Sequence, residues 1–319
     1  MNKHMNNSTD NDGIDRRGFL KCMAWAGTGT LCVVQGGVLK SFALGDVLKQ
    51  RVANITGDLS FVQISDSHIG FNKAANPDVT LTLRAAIAKI NALATPPAFV
   101  LHTGDLTQLS KPDEFDTLAE SLKSLKTDRI HYVPGEHDVL NDNGQAFRER
   151  FGRGSQEDGW YSFDQNGVHF IALVNVLNLK AGGLGSLGPN QLKWIEKDVS
   201  SLKSSTPIVV FAHIPLWAVY PQWGWCTDDS AQALALLKRF ASVTVLNGHI
   251  HQIMQKVEGN VTFHTACSTA FPQPQPGQAA SPGPMKVPSE KLNAALGITD
   301  VNIVRGKHTL AIVDSTLES

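Results

Sequence analysis

From Leu59 onward, short apolar runs alternate with longer amphipathic stretches along the 319-residue chain. The runs 59–65 (LSFVQIS), 98–103 (AFVLHT), 129–133 (RIHYV), 168–174 (VHFIALV), 207–212 (PIVVFA) and 242–247 (SVTVLN) are rich in β-branched and aromatic residues. Each is bounded by Gly, Pro or polar residues, which predicts buried strands. Residues 78–93 place Val79, Leu83, Ala86, Ile87 and Ile90 on one face, the period of a core-facing helix. Pro112 followed by Asp113 and Glu114 is a favourable first turn for a second helix. Residues 188–202 and 229–240 supply two more. Beyond residue 251 the pattern turns to strands alone, at 252–259, 260–266, 300–305 and 308–314, with hairpin-like spacing. Between them, residues 272–289 are dense in Pro, Gly, Gln and Ser and predict a long surface loop. No internal repeat is present. A single α/β domain on a pair of mixed sheets accounts for this order.

Composition changes that picture little. A hydrophobic share of 42% and a charged share of 18% are ordinary for a globular chain. A net charge of −1, with no basic run in the body, gives no electrostatic case for a nucleic-acid polymer or an anionic membrane. The four cysteines form no CxxC pattern, which argues against a zinc knuckle or a thioredoxin-like motif.

The N-terminus is different. Residues 1–15 are polar, and Asp15-Arg16-Arg17-Gly18-Phe19-Leu20-Lys21 precedes a weakly apolar stretch, 22–39. That stretch is too mild for a stable membrane span. Ser41-Phe42-Ala43 offers small residues where a signal peptidase needs them. The order resembles a twin-arginine export signal. Residues 1–43 are then expected to be removed, leaving 44–319 as one domain delivered to the periplasm by the twin-arginine translocase. An exposed basic turn before an apolar helix is the plainer alternative. Of the cysteines only Cys226 and Cys267 would remain, more readily as free thiols than as a pair.

The candidate chemistry lies at the strand ends. Asp66-Ser67-His68 follows 59–65, Gly104-Asp105 follows 98–103, and Gly135-Glu136-His137-Asp138 follows 129–133. His213 follows 207–212, and Gly248-His249-Ile250-His251 follows 242–247. Taken singly, each is an ordinary hydrogen-bonded turn residue. Together they crowd the carboxyl ends of the strands, where open α/β sheets bind ligands. Carboxylates mixed with imidazoles, without cysteine, suit Mn, Fe, Zn or Co. The donors outnumber what one tetrahedral ion takes, so two ions sharing a carboxylate fit better. Such a pair suits in-line phosphoester hydrolysis.

The ordered set Asp66-x-His68, Gly104-Asp105, Gly135-Glu136-His137-Asp138, His213 and Gly248-His249-x-His251 resembles the calcineurin-like metallophosphoesterases across nearly the whole mature chain. Within that family it looks most like the class III cyclic nucleotide phosphodiesterases, through Gly185 to Trp194. The resemblance implies an α/β fold, a four-layer αββα sandwich with two mixed β-sheets. It implies that Asp66, His68 and His251 hold one ion, that Asp105 bridges, and that His213, His249 and residue 136 hold the other. It makes His137 the imidazole beside the phosphate, with Asp138 its candidate support. The cofactors implied are two metal ions, Fe, Mn or Zn, and the substrate a small phosphoester.

Glu136 departs from the family pattern, which carries Asn at this point. It adds a methylene and a negative charge, and is expected either to ligate the second ion with altered metal choice or substrate range, or to turn outward and weaken that site. Trp217, Tyr220, Trp223 and Trp225 form either a stacking wall for a base or sugar or ordinary loop packing. Asn175 is expected near the site's edge. Three functions stay open on these residues: a phosphodiesterase, a phosphomonoesterase or nucleotidase, and a metal-binding accessory protein in which Glu136 has abolished turnover.

Overall fold

A computed structural model describes residues 30–35, 38–43, 59–303 and 310–318. The chain divides into two compact units, Met1–Thr56 and Gly57–Ser319. In the first, β1 (Thr30–Gln35) and β2 (Val38–Ala43) pair as an antiparallel hairpin, with Thr30 opposite Ala43. The Arg16-Arg17 segment and the residues following Ala43 up to Asp58 lie outside the described residues.

The second unit begins with β3 (Leu59–Ile64), α1 (Val79–Asn91), β4 (Val100–His102), α2 (Pro112–Leu122) and β5 (Ile130–Tyr132). There follow α3 (Gln145–Phe151), β6 (Tyr161–Gln165), β7 (Val168–Ala172), α4 (Gly188–Val199), β8 (Ile208–Phe211), α5 (Ser230–Leu237) and β9 (Val243–Asn247). The chain ends with β10 (Met254–Glu258), β11 (Val261–Thr265), the short α6 (Leu292–Ala295), β12 (Gly297–Ile303) and β13 (Leu310–Thr316). One sheet has the order β13-β12-β3-β4-β5 and the other β10-β11-β9-β8-β7-β6. Both are mixed. In the first, β3, β4 and β5 run parallel; in the second, β7, β8, β9 and β11 do.

Strand alternation builds the layers. On β3, Leu59 and Phe61 enter the core shared by the two sheets, while Val62 and Ile64 face the α1 and α2 side with Leu83, Ile87 and Phe115. On β8, Val209 and Phe211 join the shared core, and Ile208 and Val210 pack with Ile195, Leu237 and Phe240 on the α4 and α5 side. Helices, sheet, sheet and helices therefore form the expected four layers. Phe61 stacks on Phe99 at 4.9 Å and meets Phe170 edge-on at 5.5 Å, locking sheet to sheet. Burying each such ring contributes about 1.5–3 kcal/mol.

Besides the β1–β2 hairpin, the pattern missed three elements. Two are α3 and α6, whose seven and four residues are too few to display a period. The third is β6, which pairs antiparallel with β7, Gln165 opposite Val168. Its signal was Asn166-Gly167, both left-handed at φ 51° and 80°, as a two-residue hairpin loop of the right twist requires. The all-β tail also divides: β10 and β11 extend one sheet, β12 and β13 the other. Among the described residues no helix is long and apolar enough to cross a membrane. Cys226 and Cys267 are free thiols.

Candidate metal centre

The parallel strands β3, β4 and β5 end level with one another, Ile64 opposite His102 and His102 opposite Tyr132. On the other sheet, Phe211 of β8 lies opposite Leu246 of β9. Each of these strands runs straight into a turn bearing chemistry, so Asp66, His68, Asp105, Glu136 and His137 come from one sheet and His213, His249 and His251 from the other. Backbone bonds weave the turns together: Asp66 N–H donates to Gly104 O (3.0 Å), His68 N–H to Asp105 O (2.9 Å), and Gly248 N–H to His213 O (3.1 Å). Gly135 and Gly248 allow that closeness. A Cβ on the first would strike Asp105, and one on the second would strike Ser65.

Four overlapping groups of three donors each have their atoms within 4.8 Å of one another. Two share no residue, Asp66 with His68 and His251 and Glu136 with His213 and His249, while His68-Asp105-His137 and Asp66-Asp105-His213 join them through Asp105. Asp105 Oδ2 lies between them, 3.5 Å from His68 Nε2 and 3.4 Å from His213 Nε2. All eight residues singled out in the sequence converge. Glu136 is turned inward: Oε2 is 2.9 Å from His213 Nε2 and Oε1 is 3.0 Å from His249 Nδ1.

Several of these atoms face the site with no hydrogen-bond partner. His213 Nδ1 donates to Thr103 O at 2.7 Å, and His251 Nδ1 to Phe271 O at 2.5 Å. With that proton spent on a carbonyl, a neutral imidazole presents only a lone pair at Nε2, the arrangement usual for metal-binding histidines. His213 Nε2, Glu136 Oε2 and both ring nitrogens of His249 are buried without a hydrogen-bond partner. A lone pair facing three carboxylates needs a proton or a metal cation between them. The electrostatics agree. Burial lowers the His213 pKa, but Asp105 and then Glu136 raise it well above its ordinary value. Burial raises Asp66, but His251, and then His213 and His68, hold it below the usual carboxylate range. The pocket demands positive charge, and the donor set fits two metal ions.

The backbone is strained here. Among the described residues nine non-glycine positions have positive φ, and Asp66, His68, Asp105, His249 and His251 are five of them. Left-handed conformations cost about 1 kcal/mol or more each and persist where the surroundings over-determine them.

Residues 59–253 match the calcineurin-like phosphoesterases. The chain belongs to that family. As a member it is a metallophosphoesterase, a hydrolase of a family whose centres hold two metal ions. A 3′,5′-cyclic-nucleotide phosphodiesterase of Nostoc sp. is 26% identical over 67% of this chain and 79% of its own length. A probable glycerophosphodiester phosphodiesterase of Arcobacter nitrofigilis is 25% identical over 65% of this chain and 77% of its own length. Among solved structures, a dimetal phosphatase from Danio rerio superposes with TM-score 0.63 at 13% identity. It covers 83% of this chain and 98% of its own, and establishes the fold.

Around this phosphoesterase centre lie residues that sequence reading did not place. His137 Nδ1 donates to Gln108 O at 2.7 Å, which leaves its Nε2 free of that bond. Burial lowers the His137 pKa, while Asp105 and Glu136 raise it above its ordinary value on balance. Gln108, and not Asp138, therefore fixes the ring. Asp138 instead accepts from Leu106 N (3.0 Å), Thr107 N (2.8 Å), Thr107 Oγ1 (2.8 Å) and Gly135 N (2.9 Å), pinning the Asp105 loop to the Glu136 turn. Phe271 packs against His68 and His251 with ring centres 4.7 and 4.8 Å away. No local signal marks it, since it precedes an irregular loop. All four loop aromatics make packing contacts: Trp217 stacks on Phe263 at 5.6 Å, and Trp223 meets both Tyr220 and the buried Trp225 edge-on at 5.1 Å. Asn175, fully buried, donates to Ile214 O at 2.8 Å and so steadies the turn after His213.

Proposed function

We propose that this chain hydrolyses phosphodiesters or other small organic phosphates at a pair of metal ions, Fe, Mn or Zn. Asp66, His68 and His251 would hold one ion, His213, His249 and Glu136 the other, with Asp105 shared. The observation that carries this reading is the pair of three-donor groups on either side of Asp105 Oδ2. When bound, the ions supply Lewis acidity toward phosphoryl oxygens and lower the pKa of water. The chain's own contribution is position. His137, held by Gln108 O and grouped with His68 and Asp105, would donate a proton to the leaving oxygen or stabilise charge there. The diester preference takes support from the similarity to the Nostoc cyclic-nucleotide phosphodiesterase and the probable Arcobacter glycerophosphodiester phosphodiesterase. Export through the twin-arginine route to the periplasm belongs to the same reading and rests on the Arg16-Arg17 segment of the sequence.

Assays of bis-p-nitrophenyl phosphate, p-nitrophenyl phosphate and cyclic nucleotides with added Mn or Fe test the function. Turnover of the diesters is the expected result. Protein that holds metal and turns over none of the three would make it a metal-binding accessory protein.

A further inference from the structure

The three candidate ligand carboxylates differ in what they show to solvent. The side chains of Asp66 and Asp105 are 0% and 3% exposed, whereas that of Glu136 is 26% exposed. Glu136 therefore stands at the open side of the donor cluster, with His249 at 12%, where an incoming phosphate must arrive. It is also the position at which this chain carries a charged residue and the family pattern a neutral amide. With two divalent ions, the three carboxylates leave one net positive charge in place of the two that an asparagine would leave.

We propose that Glu136 is a charge filter, which favours monoanionic phosphodiesters by repelling dianionic phosphomonoesters at the mouth of the site. The inference rests on the dinuclear reading above and names its substrate class. The discrimination is Coulombic. A carboxylate a few ångströms from the bound phosphoryl group opposes each unit of its charge, so a dianion loses about twice as much as a monoanion. Between the dielectric of water and that of a protein surface, that one-unit difference separates the two by on the order of 5- to 1,000-fold. Both Glu136 oxygens lie at ring nitrogens, 2.9 and 3.0 Å away, so the carboxylate is directed at the donor cluster that the anion approaches.

The test uses the full chain, stripped with chelator, reloaded with Mn(II), and checked for two ions per chain by elemental analysis. Wild type and Glu136→Gln, which keeps an oxygen donor without the charge, are titrated calorimetrically with inorganic phosphate and with diethyl phosphate. A pH of about 8 keeps the first chiefly dianionic. The expected result is that the variant gains at least about fivefold in phosphate affinity relative to diethyl phosphate. Equal gains for both anions, or none, would overturn the filter. Glu136→Asn, the family's residue, is the second variant. Loss of one ion from both variants would also overturn it, because the charge would then serve to hold metal. Absence of ester turnover by the wild type would instead sink the phosphoesterase reading, while the ratio of anion affinities stays measurable.

Discussion

The backbone N–H of His137 donates to Asp105 Oδ1 at 2.9 Å, while the other oxygen of that carboxylate lies between the two donor groups. One carboxylate thus orients the turn that carries the free imidazole and faces both candidate metal positions. The imidazole is therefore positioned relative to the candidate metal donors by this bond and by its own contact with Gln108 O.

Replacing His137 by Ala is expected to lower kcat by on the order of a hundredfold or more, as loss of a positioned proton donor does. Metal content should stay at the wild-type level, since the main-chain bond to Asp105 survives the change. Steady-state kinetics with parallel metal analysis checks both halves. Metal loss in step with activity would make His137 a ligand.

Asp138 offers a separable test, because its carboxylate serves four donors and stands outside both three-donor groups. Burial, and then the nearby Asp105, push its pKa up to about 7 despite those donors. Asp138→Ala leaves buried N–H groups of Leu106, Thr107 and Gly135 unpaired. It should destabilise the chain by about 2–4 kcal/mol in urea unfolding. Metal affinity should fall as well, since Asp105 is no longer anchored to the Glu136 turn.

Much of this site was legible before folding, for a physical reason. Buried parallel strands read as short apolar runs, and a ligand crevice forms where they end, so Asp66, Asp105, His213 and His249 announce themselves by following such runs. Glu136 was legible as a departure but not in its direction, because a loop carboxylate can point either way until its partners are known. Gln108 was invisible, since it acts through a main-chain carbonyl and any residue could have stood there. Phe271 was invisible too, because its contact with His68 joins positions far apart in the chain. The β6–β7 hairpin is the avoidable miss. Asn166-Gly167 between two alternating stretches carried its own signal.

His169, near the start of β7 beside the edge strand β6 and at the end of the sheet opposite the metal donors, predicts a pH effect on stability. Burial lowers its pKa, but hydrogen bonds to Asp198 and Asp164, both at 2.9 Å, raise it above the ordinary histidine value. The folded state then binds its proton more tightly than the unfolded one. The resulting stabilisation is fully present below the unfolded value and is lost as pH rises through the folded one. Against His169→Gln, the wild type should show its larger advantage in urea unfolding near pH 5, shrinking at about pH 9. An advantage that grows with pH would contradict the assignment.

The strain at the strand ends makes a final prediction about metal removal. Asp66, His68, Asp105, His249 and His251 all hold left-handed backbone, and several of the atoms they and their neighbours aim inward lack hydrogen bonds. Bound ions would supply the missing partners and compensate for the backbone. Binding only the folded state at a hundredfold excess over Kd stabilises by about 2.7 kcal/mol per site. Chelated protein should therefore unfold at lower temperature, and Mn(II) should restore the wild-type Tm. Amide exchange should quicken upon chelation at residues 65–68, 103–106 and 248–251, while β3 and β8 stay protected. Uniform quickening across the sheets would show instead that the whole fold depends on metal. A Tm indifferent to chelation would mean that the strain is borne by the backbone bonds between the turns alone.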